Sequence, residues 1–285
     1  MSTNSASNTQ LKAFLQGEKD LKLPFDLVSS NRSGTTKYVC TKVLRILPKK
    51  RLVLLAHNGE QQVVIKLFSS ASNGQREYEK EITGYDSIVS ANVNSPELLE
   101  KIPDLDGCFS VIYKYLDEAE SFNLDNLTTS NDRITKLLQA VATLHNHGIF
   151  QKDIHLDNLL LKNEEIYFID LGSIKSSQSN QSLKKEKSLK NLALLFAQFF
   201  PLQQTKLVNA LSTYYQARNW TLNNTSNDQS LDKNDHEKFA IFLSTAWNKR
   251  KRNYLSKCFR TCSMTQYKKT FSYEIAFRSN FLDKV

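Results

Sequence analysis

Asp153, Asn158 and Asp170 are the residues whose types and spacing could do chemistry. Asn158 follows Asp153 by five positions and Asp170 follows it by seventeen, inside Phe168-Ile169-Asp170-Leu171-Gly172. An aspartate and an asparagine are hard oxygen donors of the kind that hold Mg²⁺ against phosphates. A further aspartate can orient a hydroxyl and accept its proton. Upstream, Lys66 closes the apolar run Val63-Val64-Ile65 and can meet phosphate oxygens, with Glu77 as the carboxylate that holds it and Glu81, one turn further on, as the alternative. Together these groups suit phosphoryl transfer, in which charge develops on equatorial oxygens and the protein mainly positions and neutralises. A strand lysine is commonly just solvated, and aspartate is common in turns. The joint order of the four groups carries the reading.

The surrounding elements must present these groups. Residues 38–46 and 51–56 read as strands, and Asn58-Gly59 is a strong hairpin signal before a third strand, 62–68. A charged helix is expected from Gln75 to Ile88. Pro96 and Pro103 bracket a connector, and 109–116 is a fourth strand. Ile134, Leu137, Leu138, Val141 and Leu144 form the stripe of a helix packed on a core, capped by Asn131 and ended by Gly148. Asn158–Leu161 and Ile166–Ile169 read as a small hairpin around Lys162–Glu165. From Leu189 onward the pattern is helical. Strands followed by helices predict an α+β, two-lobed chain: a polar tail and lead-in (1–36), a small antiparallel-sheet N-lobe with one key helix that binds nucleotide (37–117), and a mainly helical C-lobe (118–285) with the catalytic loop, the metal site and basic C-terminal helices.

An Asp, an Asn five later and an Asp-x-Gly beyond a hairpin resemble the catalytic layout of the protein-kinase-like fold. The glycine-rich phosphate loop of that fold is missing. Leu47-Pro48-Lys49-Lys50 stands there instead, so Lys49 and Lys50 are expected to meet the phosphates. Asp153-Ile154-His155-Leu156-Asp157-Asn158 has the Asp-x-His-x-x-Asn form of aminoglycoside and choline kinases, which places His155 at the cofactor and tilts the acceptor toward a small molecule or sugar. The segment 173–187 is short and has no Ala-Pro-Glu motif.

From about Tyr38 to Phe200 the chain resembles the lipopolysaccharide core kinases that act on heptose and 3-deoxy-octulosonic acid (Kdo). The residues that carry the resemblance are the glycine-poor first hairpin before Gln62–Lys66, Arg76-Glu77-Tyr78, Ile169-Asp170-Leu171, and Lys190-Asn191-Leu192-Ala193. The resemblance implies ATP as donor, Mg²⁺ as metal, and a sugar hydroxyl on a glycolipid at the cytoplasmic face of the inner membrane. Gln151 and Asn191 depart from the histidine and aspartate usual at their positions, although an amide can still accept a backbone hydrogen bond. The alternatives are a kinase of another small molecule or of protein, and a non-catalytic kinase-like binding module.

The chain has 285 residues with 38 Lys+Arg against 29 Asp+Glu, a net charge of +9. Eight of the basic residues and no acid fall between Lys249 and Lys269, so the remainder is nearly neutral. A basic patch invites nucleic acid, but no nucleic-acid motif accompanies it. An anionic membrane surface meeting Lys249–Arg252 fits the layout better. Hydrophobic content of 40% excludes a disordered chain, and no apolar run approaches the ~20 residues of a spanning helix. Four cysteines are too few for a disulfide scaffold. Cys258 and Cys262 have no second ligand pair at zinc spacing and read as helix thiols. With a polar N-terminus, these features predict a reducing, cytoplasmic setting.

Overall fold

Six antiparallel strands form the main sheet, in the order β1-β2-β3-β4-β6-β5. They are β1 (Phe25–Asn31), β2 (Gly34–Leu47), β3 (Arg51–His57), β4 (Gln62–Ser69), β5 (Leu98–Leu105) and β6 (Cys108–Lys114). The computed structural model describes residues 5–31, 34–122, 131–177, 181–199, 204, 207–220, 223–225, 228–230, 233–261, 265–272 and 274–278. The chain divides into two compact units, Met1–Leu183 and Lys184–Val285. The lobe boundary expected near residue 118 lies within the first unit.

Period-2 alternation sorts the two faces of the sheet. Leu52, Leu54 and Ala56 of β3 and Val63, Ile65 and Leu67 of β4 are buried together with Leu11 and Phe14 of α1 (Ser5–Gln16) and Leu27 of β1. Each fully buried aliphatic side chain contributes about 1.5–3 kcal/mol. On the other face stand Lys66, its β3 partner Val53 and its β6 partner Val111. That face carries α2 (Gly74–Ser90), through Tyr78, Ile82 and Tyr85 against Phe68, Val111 and Tyr113.

The expected meander is thus part of a larger sheet. Residues 5–31, expected as a polar tail and lead-in, carry a helix and a strand, because Leu11 and Phe14 gain burial only from the sheet. The connector between Pro96 and Pro103 contains β5. Pro103 sits at the irregularity between Ile102 and Leu105 on an edge strand, where a missing N–H disrupts no ladder.

The first unit continues through β7 (Glu120–Ser121), α3 (Asn131–Asn146), β8 (Ile149–Gln151), β9 (Leu159–Lys162), β10 (Glu165–Phe168) and β11 (Ile174–Ser176). The five-residue stripe of α3 is buried as expected. The β9–β10 turn has Asn163 and Glu164 at φ 50° and 61°, a primed turn matched to strand twist. The second unit holds α4 (Lys185–Phe196), α5 (Leu211–Ala217) and α6 (Lys233–Cys258), but also two hairpins, β12 (Asn223–Thr225) with β13 (Asp228–Ser230) and β14 (Thr265–Lys269) with β15 (Glu274–Arg278). The helical pattern expected from Leu189 onward, with Ser/Asn/Asp-rich loops around 221–235, is thus joined by two short hairpins, the first of them within that loop region. Cys258 ends α6 exposed rather than packed, and Cys262 lies outside the described residues. No described helix is long and apolar enough to cross a membrane.

Candidate active site

A cleft of about 570 Å³ lies in the first unit, lined by Arg51, Val53, Lys66, Glu81, Asn158 and Asp170, with Lys114–Leu116, Leu160 and Ile169 among its other walls. Strand alternation aims Lys66 into it. Glu81, only 1% exposed, takes the Lys66 ammonium on Oε1 at 2.5 Å. The same oxygen accepts the Tyr113 hydroxyl at 3.2 Å, and Oε2 accepts the Gly172 backbone N–H at 2.8 Å. Burial first, and the Glu81 charge next, push the Tyr113 phenol well above its ordinary pKa.

The lysine partner is therefore Glu81 and not Glu77. The two share one face of α2, but Glu77 lies a turn closer to the helix start and meets Arg51 at 2.7 Å instead. Arg51 NH1 also lies 3.4 Å from Asp170 Oδ1, and Lys66 lies 4.0 Å from the same oxygen. Burial works against the Arg51 charge, but Glu77, Asp170 and Glu81 together more than offset it and raise its pKa. No motif in the sequence signals Arg51.

The loops are knitted by backbone. Ile169 N–H donates to Asn158 O at 2.9 Å and Lys152 N–H to Ser173 O at 2.9 Å. Buried Gln151 donates its amide to Ile169 O at 3.2 Å, where an accepting role was expected. Asn158 Nδ2 donates to the Asp153 carbonyl at 3.1 Å, which leaves its Oδ1 as the oxygen donor. Asp170 stands in the left-handed region at φ 57°, ψ 59°, a strained conformation for a non-glycine residue, of about 1–3 kcal/mol. Gly84 of α2 makes the close approach possible: a Cβ there would fall 2.0 Å from Leu171 O.

Asp153 is exposed, on the loop between β8 and the one-turn helix Leu156–Asn158. His155 does not line the cleft. Its Nδ1 accepts the Asp157 N–H at 3.2 Å and caps that turn. Lys49 and Lys50 do not line the cleft either. The Lys49 N–H donates to Phe14 O at 3.3 Å, and its side chain lies along Gly17 at the end of α1. Arg45 and Arg51 are the cations that the first hairpin gives to the cleft. Asn191 is buried in α4, within the second unit.

Among the described residues, no cluster of three or more His, Cys, Asp or Glu side chains could hold a metal alone. Asp170 and Asn158 Oδ1 instead fit a Mg²⁺ that takes its other ligands from phosphate and water.

Residues 92–193 match the lipopolysaccharide core biosynthesis protein (WaaY) family. That family match covers about a third of the chain. The matched segment contains Asp153, Asn158 and Asp170 and begins after Lys66 and Glu81. Among solved structures, WaaP in complex with acyl carrier protein is similar at 15% identity, over 75% of this chain and 88% of that chain, with a TM-score of 0.51. A choline/ethanolamine kinase family protein from Mesorhizobium loti is 14% identical over 75% of this chain and 80% of its own, with a TM-score of 0.46. The WaaP likeness shows the fold, which is the kinase-like one expected from the motif order. In this chain the sheet brings Lys66, and the α3–β11 region brings Asn158 and Asp170, to one cleft.

Proposed function

We propose that the chain is an ATP- and Mg²⁺-dependent kinase that phosphorylates a sugar hydroxyl, heptose or Kdo, of the lipopolysaccharide inner core. The observation that carries this reading is the convergence of Lys66, Glu81, Asn158 and Asp170 on one cleft, in a chain with a WaaY-family segment. Lys66, held by Glu81, meets the donor phosphates. Asn158 and Asp170 hold the metal, which when bound neutralises charge on the transferring phosphoryl group. Asp153, exposed beside Asn158, orients the acceptor hydroxyl and takes its proton. The exposure of Asp153 suits an acceptor that arrives on a large glycolipid.

Transfer of labelled γ-phosphate from ATP to purified core glycolipid tests the reading. Asp153→Asn is expected to lower kcat by about 10²–10⁴-fold. Transfer to protein or to a free sugar, with none to the glycolipid, would overturn the acceptor assignment.

The same proposal includes an anionic membrane surface as partner. On α6, Lys249, Lys251 and Arg252 are exposed, close to Leu255 and Phe259, which are also exposed. At ~1 kcal/mol per basic residue near such a surface, neutralising Lys249–Arg252 should weaken binding roughly 10²–10³-fold. Cosedimentation with phosphatidylglycerol vesicles reads this, and unchanged binding would assign the cluster to an ordinary solvated face.

A further inference from the structure

We infer that Arg51 grips the donor's phosphates, in place of the glycine-rich loop this chain lacks. The inference rests on the kinase reading and adds a residue to it. The first hairpin's turn offers no glycine, and neither of its lysines lines the cleft: the Lys49 N–H donates to Phe14 O, its side chain lies along Gly17, and Lys50 is exposed. The next residue, Arg51, opens β3 opposite Phe68 and enters the cleft. Its guanidinium lies 5.3 Å from the Phe68 ring centroid, which fixes the plane of the fork. Glu77 holds NH2 at 2.7 Å, while NH1 lies 3.4 Å from Asp170 Oδ1.

That geometry is asymmetric. The Glu77 bond is short and anchors one edge of the fork. The Asp170 contact is long, and it is made to an oxygen that the Lys66 ammonium also faces at 4.0 Å. Arg51 Nε is buried and has no hydrogen-bond partner. A planar fork with one edge anchored and donors to spare, beside a second cation and the expected metal ligand, is arranged for a phosphate oxygen. Arg51 can keep Glu77 and exchange the weak Asp170 contact for phosphate, which also releases Asp170 Oδ1 as a ligand.

Calorimetric titration of the full chain with ATP, ADP and adenosine, first in EDTA and then in Mg²⁺, tests the inference. Arg51→Ala is expected to weaken ATP and ADP at least tenfold in both buffers and to leave adenosine within twofold. Arg51→Lys, which restores charge without the fork, should recover part of the loss. A Lys49→Ala/Lys50→Ala double variant should bind ATP as the unmodified chain does. If Arg51→Ala binds ATP within twofold, or loses ATP and adenosine alike, Arg51 only staples β3 to α2 and the inference is wrong. Should Arg51→Ala fail to fold, Arg51→Lys decides: ATP affinity equal to that of the unmodified chain overturns the inference. An unmodified chain that binds no nucleotide would overturn the kinase reading itself. Nucleotide binding that is indifferent to Arg51 would remove this inference alone.

Discussion

Gly84→Ala is expected to destabilise the first unit by about 2 kcal/mol or more, to lower its Tm by roughly 4–8 °C and, on the kinase reading, to abolish nucleotide binding. The added Cβ would lie 2.0 Å from Leu171 O, 2.8 Å from Leu171 C and 3.2 Å from Ile174 Cβ. Two of these atoms are backbone, so no rotamer change relieves the clash, and α2 and the Asp170–Ser173 loop must part by about an ångström. Alanine's better helix propensity returns only ~1 kcal/mol. The movement carries Asp170, one residue before Leu171, and it stretches the Glu81–Gly172 hydrogen bond. Thermal unfolding and ATP titration check both effects. A variant with unchanged Tm and unchanged affinity would show that the helix and loop are not held in register by this glycine.

Glu81→Ala is expected to cost about 3–5 kcal/mol, the range for breaking a buried ion pair by removing one partner. It leaves the Lys66 ammonium, whose side chain is 13% exposed, without its carboxylate, and the Gly172 N–H and Tyr113 hydroxyl without an acceptor. On the kinase reading, kcat/KM should fall at least on the order of 10²-fold through lost positioning. Glu77→Ala removes a carboxylate that is 41% exposed and should cost less than about 1 kcal/mol of stability. Chemical denaturation of the two variants side by side separates the roles. Equal losses, or a larger loss for Glu77→Ala, would reverse the assignment of the lysine partner.

How much of this was legible in the sequence follows from how local each feature is. Asp153, Asn158 and Asp170 are separated by one turn and one short hairpin, so their spacing alone carries their geometry, and the β9–β10 pairing falls within a residue or two of expectation. The α3 stripe was legible because its burial follows the helical period. Glu81 was not separable from Glu77, since both occupy one helix face and only the axial position of α2 against β4 decides between them. Arg51 belongs to no motif; its role appears once β3 meets α2 and the Asp170 loop. Helix α1 was hidden by its few apolar residues, and β5 by its proline. Gly84 did leave a trace, as a glycine inside an otherwise helical segment, a position where backbone contact is a common cause.

Glu81 also acts as a pivot with three arms, one to the strand lysine, one to the Tyr113 hydroxyl and one to the backbone of the Asp170–Ser173 loop. Mechanically, the distance from the Lys66 cation to the Asp170 carboxylate is then one adjustable quantity rather than two. A small tilt of α2 shifts both ends together, so Lys66 and the Asp170 loop are aligned or misaligned as a single unit.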